Sequence, residues 1–284
     1  MRLHLLGTGS PEPSLKRASS GYLLRSGKDT IIFDHGPGAH HRLLELGVMP
    51  TDVTHIFISH LHYDHCADLV RLFLSHWDMG SGKIPPMNIY GPPGLQAFVD
   101  RLFGPEGAFA FDLRARIEHI SSKKYFEARG GKLPRQWPST KVVELEENQV
   151  VTGDGWTVRS KRVQHVEPFL TCLGFRLEAA DGVVTYSGDT GPCEAMRDLA
   201  NEADVLIHMC VRIDHMPKDA AAMPYRALAE LARDSRVRTL VATHFNPRTD
   251  QDGVREQLIS EMGAIYKGRL IWGEDLMEVP VRTN

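Results

Sequence analysis

The stretch SHLHYDHCADL, residues 59–69, places three histidines and one aspartate within six consecutive positions. It directly follows an apolar run, THIFI, which predicts a buried strand. Side chains alternate along an extended chain, so His60, His62 and Asp64 are expected to point the same way. His65 is expected to approach from the start of a following helix. Imidazole and carboxylate groups together suit zinc, iron and similar cations, so the stretch predicts metal ligands.

Three further polar residues follow predicted strands elsewhere in the chain. They are His165 in KRVQHVEP, Asp189 in VVTYSGDTGP and His244 in TLVATHFNPR. Gly188, beside the aspartate, permits a close backbone approach. Taken singly, His165 and His244 would more often be structural or solvated. Because each candidate follows a strand, as His60 does, we expect all of them at one edge of a rigid scaffold, where they complete the metal site.

The composition is typical of a globular protein without a strong preference for one kind of partner. The chain has 284 residues, 42% hydrophobic content and a net charge of −3. This length allows one large domain or two modest ones, and the balanced charge gives no general affinity for nucleic acid. The four cysteines are scattered and predict reduced thiols. The first residues contain no long apolar run, so we expect a cytoplasmic protein without a membrane partner.

Strand-like and helix-like segments alternate along most of the chain, which predicts sheets covered by helices. A hairpin is expected from Gly21–Arg25 and Thr30–Asp34, and a helix from Ala67–Trp77. Residues 104–141 lack a regular pattern and are expected to form an irregular insertion or lid. From about residue 142 to 272 strands and helices alternate again.

The order of these motifs resembles the metallo-β-lactamase superfamily. HLHYDH, the later His165, YSGDT and ATHF stand in that family's order. Within the superfamily the chain is most similar to the ribonuclease Z and arylsulfatase-like branch, through LGTGSP, IIFDHGPG and THFNPR. The resemblance implies an α/β (α+β) fold, a four-layer αβ/βα sandwich of two mixed β-sheets flanked by helices. It also implies a single domain over residues 1–284 and a homodimer.

The resemblance further implies two divalent metal ions. Zinc is favoured because the second motif position is His62, where the oxygen-reducing branch has glutamate; Mn²⁺ and Fe²⁺ also tolerate such ligands. One metal would be held by His60, His62 and His165, the other by Asp64, His65 and His244, with Asp189 bridging them.

A binuclear hydrolase of this kind would attack its substrate with a metal-bridging hydroxide. Asp64 could orient the hydroxide as well as bind a metal. Candidates for the catalytic acid are His208 and His215, although a structural His208 and an exposed His215 are equally consistent with the sequence. Asp34 and Thr243 are candidates for fixing histidine tautomers, and Asp34 is equally consistent with a turn residue.

The substrate prediction depends on departures from the tRNA-processing enzymes. Residues 166–188, between the third histidine and the bridging aspartate, leave room for a hairpin but not for the long arm of those enzymes. His208-Met209 stands where they have a His-Glu pair, and no His-Ser-Thr-like motif is recognisable. We therefore expect a small anionic or aromatic substrate, such as an ester, lactone, sulfate, phosphodiester or activated aryl compound, and no nucleic-acid partner.

Two alternatives to a small-substrate hydrolase stay open. One is a ribonuclease Z-like tRNA 3′-processing endonuclease. The other, from a different class, is a non-catalytic binding protein on the same scaffold. It ranks last because that class predicts broken ligand sets, whereas all seven ligand positions carry suitable residues.

The middle of the chain is strongly basic. Between Arg114 and Lys141, eight lysines and arginines stand against two glutamates, a local net charge of +6. Tyr125, Phe126 and Trp137 are interleaved with them. This segment could form a substrate collar, an RNA-contacting patch, a solvated insertion or part of a dimer contact.

Overall fold

The computed structural model describes residues 1–211 and 222–282. Within these ranges the strands are β1 (Arg2–Gly7), β2 (Gly21–Ser26), β3 (Asp29–His35), β4 (His55–Phe57), β5 (Asn88–Gly91), β6 (Lys141–Glu144), β7 (Val150–Thr152), β8 (Trp156–Val163), β9 (Cys172–Ala179), β10 (Gly182–Tyr186), β11 (Val205–Met209), β12 (Thr239–Thr243), β13 (Arg269–Trp272) and β14 (Glu278–Val279). The α-helices are α1 (Ala39–Glu45), α2 (Tyr63–Cys66), α3 (Leu69–Gly80), α4 (Leu95–Phe103), α5 (Ala110–Glu118), α6 (Ile120–Ala128), α7 (Glu194–Ala200), α8 (Tyr225–Asp234) and α9 (Val254–Ile265).

The strands form two mixed sheets of matching design. One sheet has the order β14-β1-β2-β3-β4-β5-β6 and the other β13-β12-β11-β10-β9-β8-β7. Each sheet has three antiparallel pairings at one end and three parallel pairings at the other. With helices on the outer faces, this is the predicted αβ/βα sandwich of two mixed sheets, and the predicted hairpin of β2 and β3 is confirmed.

Aromatic side chains fill the space between the two sheets. Phe33 from the first sheet stacks on Phe175 from the second, with ring centroids 5.6 Å apart. Phe57 meets both rings edge to face. These side chains are fully buried, and each aromatic pair adds about 0.5–1.5 kcal/mol to the free energy gained from burial. The sheets are therefore held face to face by a packed aromatic layer.

The outer faces of the sheets are covered by amphipathic helices. On α3, Leu69, Leu72, Phe73 and His76 recur at helical spacing and are all buried against the first sheet. Helices α8 and α9 likewise bury their apolar faces against the second sheet. The 3.6-residue period in the sequence therefore identifies the faces that pack.

Two local predictions differ from the structure. Asp64 is not in an extended segment, because the short helix α2 already begins at Tyr63. Residues 104–141 are not irregular throughout, since they contain α5 and α6. These two helices bury few apolar side chains, Ala110 and Leu113 in the first and Phe126 in the second. With so little apolar periodicity, their sequence carries only a weak helical signal.

Replacing Phe175 with Ala is expected to lower the free energy of unfolding by about 3–5 kcal/mol, because it opens a cavity between the sheets. Urea denaturation would measure the change, with the slope of the transition unchanged. Phe111→Ala is the control, since that side chain is 82% exposed and its loss should change stability by less than about 0.5 kcal/mol. Equal effects of the two substitutions would contradict the packing described here.

Candidate metal centre

The predicted ligands lie at one edge of the sandwich, where strands of both sheets end. His60 follows β4 of the first sheet, while His165, Asp189 and His244 follow β8, β10 and β12 of the second. β8 and β10 are both antiparallel to β9 and so run in the same direction, and β12 runs parallel through β11. The shared edge predicted from the sequence is therefore present.

The seven side chains form two adjoining triplets linked by an aspartate. Nitrogen and oxygen atoms within each of three groups lie within 4.8 Å of one another. The groups are His60, His62 and His165; His60, His65 and Asp189; and Asp64, His65 and His244. Because α2 begins at Tyr63, Asp64 turns away from His62 and joins His65 and His244 instead. The structure thus brings all seven predicted ligands together.

Asp189 lies between the triplets. Its Oδ2 atom is 3.2 Å from Nε2 of His244, 3.5 Å from Nε2 of His65 and 3.9 Å from Nε2 of His165. These distances place one carboxylate within reach of both groups of imidazoles, which is the position that a bridging ligand requires.

The electrostatics of the cluster favour added positive charge. Burial alone would raise the pKa of Asp189, but His244 and His65 hold it well below its usual range. Burial opposes protonation of His65, yet Asp189 and Asp34 hold its pKa well above the ordinary value. The buried carboxylates therefore favour positive charge beside them, which a bound cation would supply.

The ring nitrogens also fit a metal site. Nε2 of His60 faces Nδ1 of His62 at 2.9 Å. Nε2 of His65 is buried and makes no hydrogen bond. A cation among these nitrogens would use their lone pairs, as divalent metals bound by imidazole and carboxylate do. The donor set therefore suits divalent metal ions.

Asp34 orients the cluster from behind. Its buried carboxylate accepts hydrogen bonds from the backbone N–H of Ser59 at 2.7 Å, from Ser59 Oγ at 2.6 Å and from the Tyr186 hydroxyl at 2.5 Å. It also accepts the Nδ1–H of His65 at 2.7 Å. This bond fixes the histidine tautomer, so Nε2 presents its lone pair to the cluster. Asp34 thus has the orienting position that the sequence allowed for it.

The backbone at this edge adopts conformations that few residues tolerate. Asp34 and His244 are non-glycine residues with positive φ angles of 53° and 61°. Gly188 has a φ of 57°, and a Cβ atom there would lie 2.7 Å from the carbonyl oxygen of Leu173. Glycine is therefore required beside Asp189, as its position in SGDT predicts.

The other predicted site residues are less closely tied to the cluster. Thr243 bonds to the Tyr22 hydroxyl at 3.0 Å rather than to an imidazole. Burial lowers the pKa of His208 to about 4, so its ring is neutral near pH 7. Its Nδ1–H donates to the carbonyl oxygen of Met209 at 2.8 Å. The catalytic role of His208 stays a prediction, and His215 lies outside the described residues.

Two contributors were not singled out from the sequence. Tyr186 and Ser59 hold the Asp34 carboxylate without touching the predicted ligands' metal-facing atoms. Each stands one to three residues from a ligand, in YSGDT and SHLHYDH. Their closeness to predicted ligands in the sequence is the signal that could have identified them as supporting residues.

The sequence profile of the beta-lactamase superfamily domain matches residues 29–245. The chain belongs to this superfamily. It is 31% identical to a ribonuclease Z of Mycobacterium bovis over 99% of this chain and 98% of that protein. Prediction of the metallo-β-lactamase superfamily and its ribonuclease Z branch is thus confirmed, as is that of a metal-dependent hydrolase.

Solved structures of metallo-β-lactamase proteins share the fold. The YhfI protein of Bacillus subtilis superposes with a TM-score of 0.73 at 19% identity, covering 98% of each chain. The short form of human tRNase Z superposes with a TM-score of 0.68 at 23% identity, covering 100% of each chain. At these identities the likeness concerns the fold alone.

The prediction of a small-molecule substrate without a nucleic-acid partner is wrong. The full-length relative named ribonuclease Z favours the alternative that the sequence also allowed. The short connection in place of the long arm does not exclude that alternative. β9 and β10 do form the short hairpin expected in place of the arm, yet both sheets and the ligand edge are intact without the arm.

In the described part of the chain, helices are too short or too polar to cross a membrane.

Replacing Asp34 with Asn is expected to weaken metal affinity by about 10–100-fold, because it removes the charged acceptor that orients His65. Competition with a chromophoric chelator would measure the affinity. Asp68→Asn is the matched control, since Asp68 accepts hydrogen bonds from the backbone N–H groups of Gly38 and His40 and is not among the candidate ligands. If both variants hold metal as tightly as the unchanged protein, Asp34 does not orient the centre.

Proposed function

We propose that this protein is a binuclear, zinc-dependent endonuclease of the ribonuclease Z type that processes the 3′ ends of tRNA precursors. The observation that carries the proposal is the 31% identity to a ribonuclease Z along 99% of the chain. A match of that extent includes the ligand edge together with both sheets. The converging imidazoles and carboxylates give the proposal its chemistry.

The metal ligands in this proposal are those placed together at the sandwich edge. One ion would be held by His60, His62 and His165, the other by Asp64, His65 and His244, with Asp189 between them. Zinc is proposed because five of the seven donors are imidazoles, its common ligand in proteins. When bound, the ions supply Lewis acidity and an ionised water at neutral pH.

The protein's own groups bias this centre toward a phosphodiester. Two divalent ions carry +4, whereas Asp64 and Asp189, the carboxylates among the seven donors, carry −2. The excess of positive charge favours an anionic substrate and the charge that gathers on its phosphate oxygens. Asp64 contacts Nε2 of both His65 and His244 at 3.3 Å, so its proposed second role is to orient the attacking group.

Exposed aromatic side chains beside the ligands support an unpaired RNA strand as the substrate. Tyr63 stands between two ligands and is 59% exposed, and its hydroxyl donates to the carbonyl oxygen of Pro11. Phe169, four residues after His165, is 87% exposed. Stacking of bases on such rings is tolerant of sequence and stabilises single strands by about 1–3 kcal/mol per base.

Several finer features belong to the same proposal. The protein is proposed to act in the cytoplasm as a homodimer. His215 is the preferred candidate for the group that protonates the leaving 3′-oxygen. His208 is buried and neutral, and its one N–H proton is already donated to the carbonyl oxygen of Met209.

The direct test is cleavage of a precursor tRNA carrying a 3′ trailer, followed by gel electrophoresis. The zinc-loaded protein is expected to cut after the acceptor stem, and Asp189→Ala is expected to lower the rate to less than about a thousandth and to release metal. Asp252→Ala, which removes an exposed carboxylate that is not among the proposed ligands, is the control and should keep full activity. Turnover of aryl esters or sulfates without any cleavage of precursor would contradict the proposal.

A further inference from the structure

The basic middle segment builds a cavity that the proposed reaction does not use. The cavity holds about 650 Å³ and lies between the second half of α3, the loop of residues 81–87, helix α6 and residues 130–139. A volume of this size accommodates a small organic ligand.

This cavity is separate from the metal centre. Helix α3 begins at Leu69, four residues after the ligand His65, and contributes Phe73, Trp77 and Gly80 to the cavity. With a rise of 1.5 Å per residue, Trp77 lies about 12 Å along the axis from the start of the helix. Within the described residues, none of the seven candidate ligands lines the cavity, so a ligand here would occupy a different site.

Aromatic side chains form the walls of the cavity. Phe73, Trp77, Phe126 and Trp137 all line it. Trp137 is fixed by a hydrogen bond from its Nε1–H to the carbonyl oxygen of Phe103 at 2.8 Å. Flat rings held in this way stack on a planar ligand and lose little conformational entropy on binding.

One buried donor in the cavity wall lacks an acceptor. Arg135 lines the cavity with a side chain that is only 3% exposed, and its guanidinium lies 3.9 Å from the ring centroid of Trp77. Nη2 donates to Asp78 at 2.7 Å and Nη1 to the carbonyl oxygen of Arg116 at 3.3 Å. Its buried Nε–H has no partner. A buried donor without an acceptor is unfavourable, so a ligand oxygen at Nε would stabilise the site.

The charge around the cavity is positive. Arg116, Arg129 and Arg135 all contact the carboxylate of Asp78, and Arg116 also pairs with Asp112 at 2.8 Å. Two carboxylates thus face three guanidinium groups, which leaves one positive charge unbalanced. Lys83 and Lys132 add further positive charge to the lining, and no acidic side chain lines this cavity in the described ranges. The surroundings therefore favour an anion.

We propose that this cavity binds a planar aromatic anion, specifically a nucleobase that carries a phosphate. Its base would stack against the aromatic wall beside the Arg135 guanidinium, which already lies over Trp77 and Phe126. Its phosphate would meet Lys83, Lys132 and the Nε–H of Arg135. The same chemistry is offered by a free mononucleotide and by an unpaired nucleotide of an RNA chain. The site does not depend on the proposed nuclease activity, because none of its residues belongs to the metal centre.

The test is titration of the zinc-loaded, full-length protein with adenosine 5′-monophosphate, followed by tryptophan fluorescence. Two of the four tryptophans line the cavity, so saturable quenching is expected with a Kd below about 1 mM. Adenosine and orthophosphate should each bind at least about tenfold more weakly, since each lacks one half of the recognised group. If a single-stranded tetranucleotide binds more tightly than the mononucleotide, the natural ligand is a nucleotide within RNA. If the mononucleotide binds more tightly, the natural ligand is a free nucleotide.

Variants separate this cavity from the metal centre. The double substitution Lys83→Gln and Lys132→Gln is expected to weaken binding at least about tenfold. Lys124→Gln, an exposed lysine of the same segment outside the cavity, should leave the Kd unchanged. Asp189→Ala should also leave it unchanged, because the metal centre does not contribute.

Three results would overturn the proposal. The first is no saturable quenching up to about 10 mM nucleotide. The second is quenching that Asp189→Ala abolishes or that the double lysine variant does not weaken. The third is a pair of observations: the unchanged protein binds no nucleotide, and it sediments as a dimer that dissociates when Trp137 is replaced with Ala. That result would assign this face to contact with a second copy of the chain. Each result is obtained without any measurement of RNA cleavage.

Discussion

His65 is held between two buried carboxylates, and the rest of the site depends on this arrangement. Asp34 accepts its Nδ1–H at 2.7 Å, and Asp189 lies 3.5 Å from its Nε2. Asp34 and His65 come from the first sheet and its following helix, whereas Asp189 and Tyr186 come from the second sheet. The same contacts therefore orient a predicted metal ligand and join the two sheets. Burying two carboxylates so close together is unfavourable without compensating positive charge, which explains why this edge suits cations.

Much of the fold and the clustering of the candidate ligands could be predicted from the sequence because both depend on local patterns. Apolar runs ending in His60, Asp189 and His244 predicted the strand ends, and strand ends of one sheet direction meet at one edge. The extended conformation predicted for Asp64 is wrong. A short helix begins at Tyr63, and no apolar stripe in the sequence indicates it. Tyr186 was missed for a related reason. It supports His65 only through Asp34, and in the sequence such a residue cannot be distinguished from an ordinary core residue.

The substrate class could not be predicted from local sequence patterns. Metal ligands sit on rigid strand ends, whereas substrate contacts come from loops and insertions that vary without disturbing the sheets. β9 and β10 form a short hairpin where the tRNA-processing enzymes carry the long arm, and this difference favoured a small substrate although 99% of the chain matches a ribonuclease Z. The basic segment, by contrast, folds into α5 and α6 and lines a cavity that includes none of the candidate ligands among the described residues. We therefore propose that its charge contacts a group other than the reacting phosphate.

Anomalous scattering from crystals grown with zinc, combined with elemental analysis in solution, tests the central claim most directly. The account predicts two metal ions per chain at the strand edge, one contacting His60, His62 and His165 and the other contacting Asp64, His65 and His244. Oxygen atoms of Asp189 should reach both ions. A chain that retains no metal under zinc-replete conditions, or one whose anomalous peaks lie away from these side chains, would contradict it.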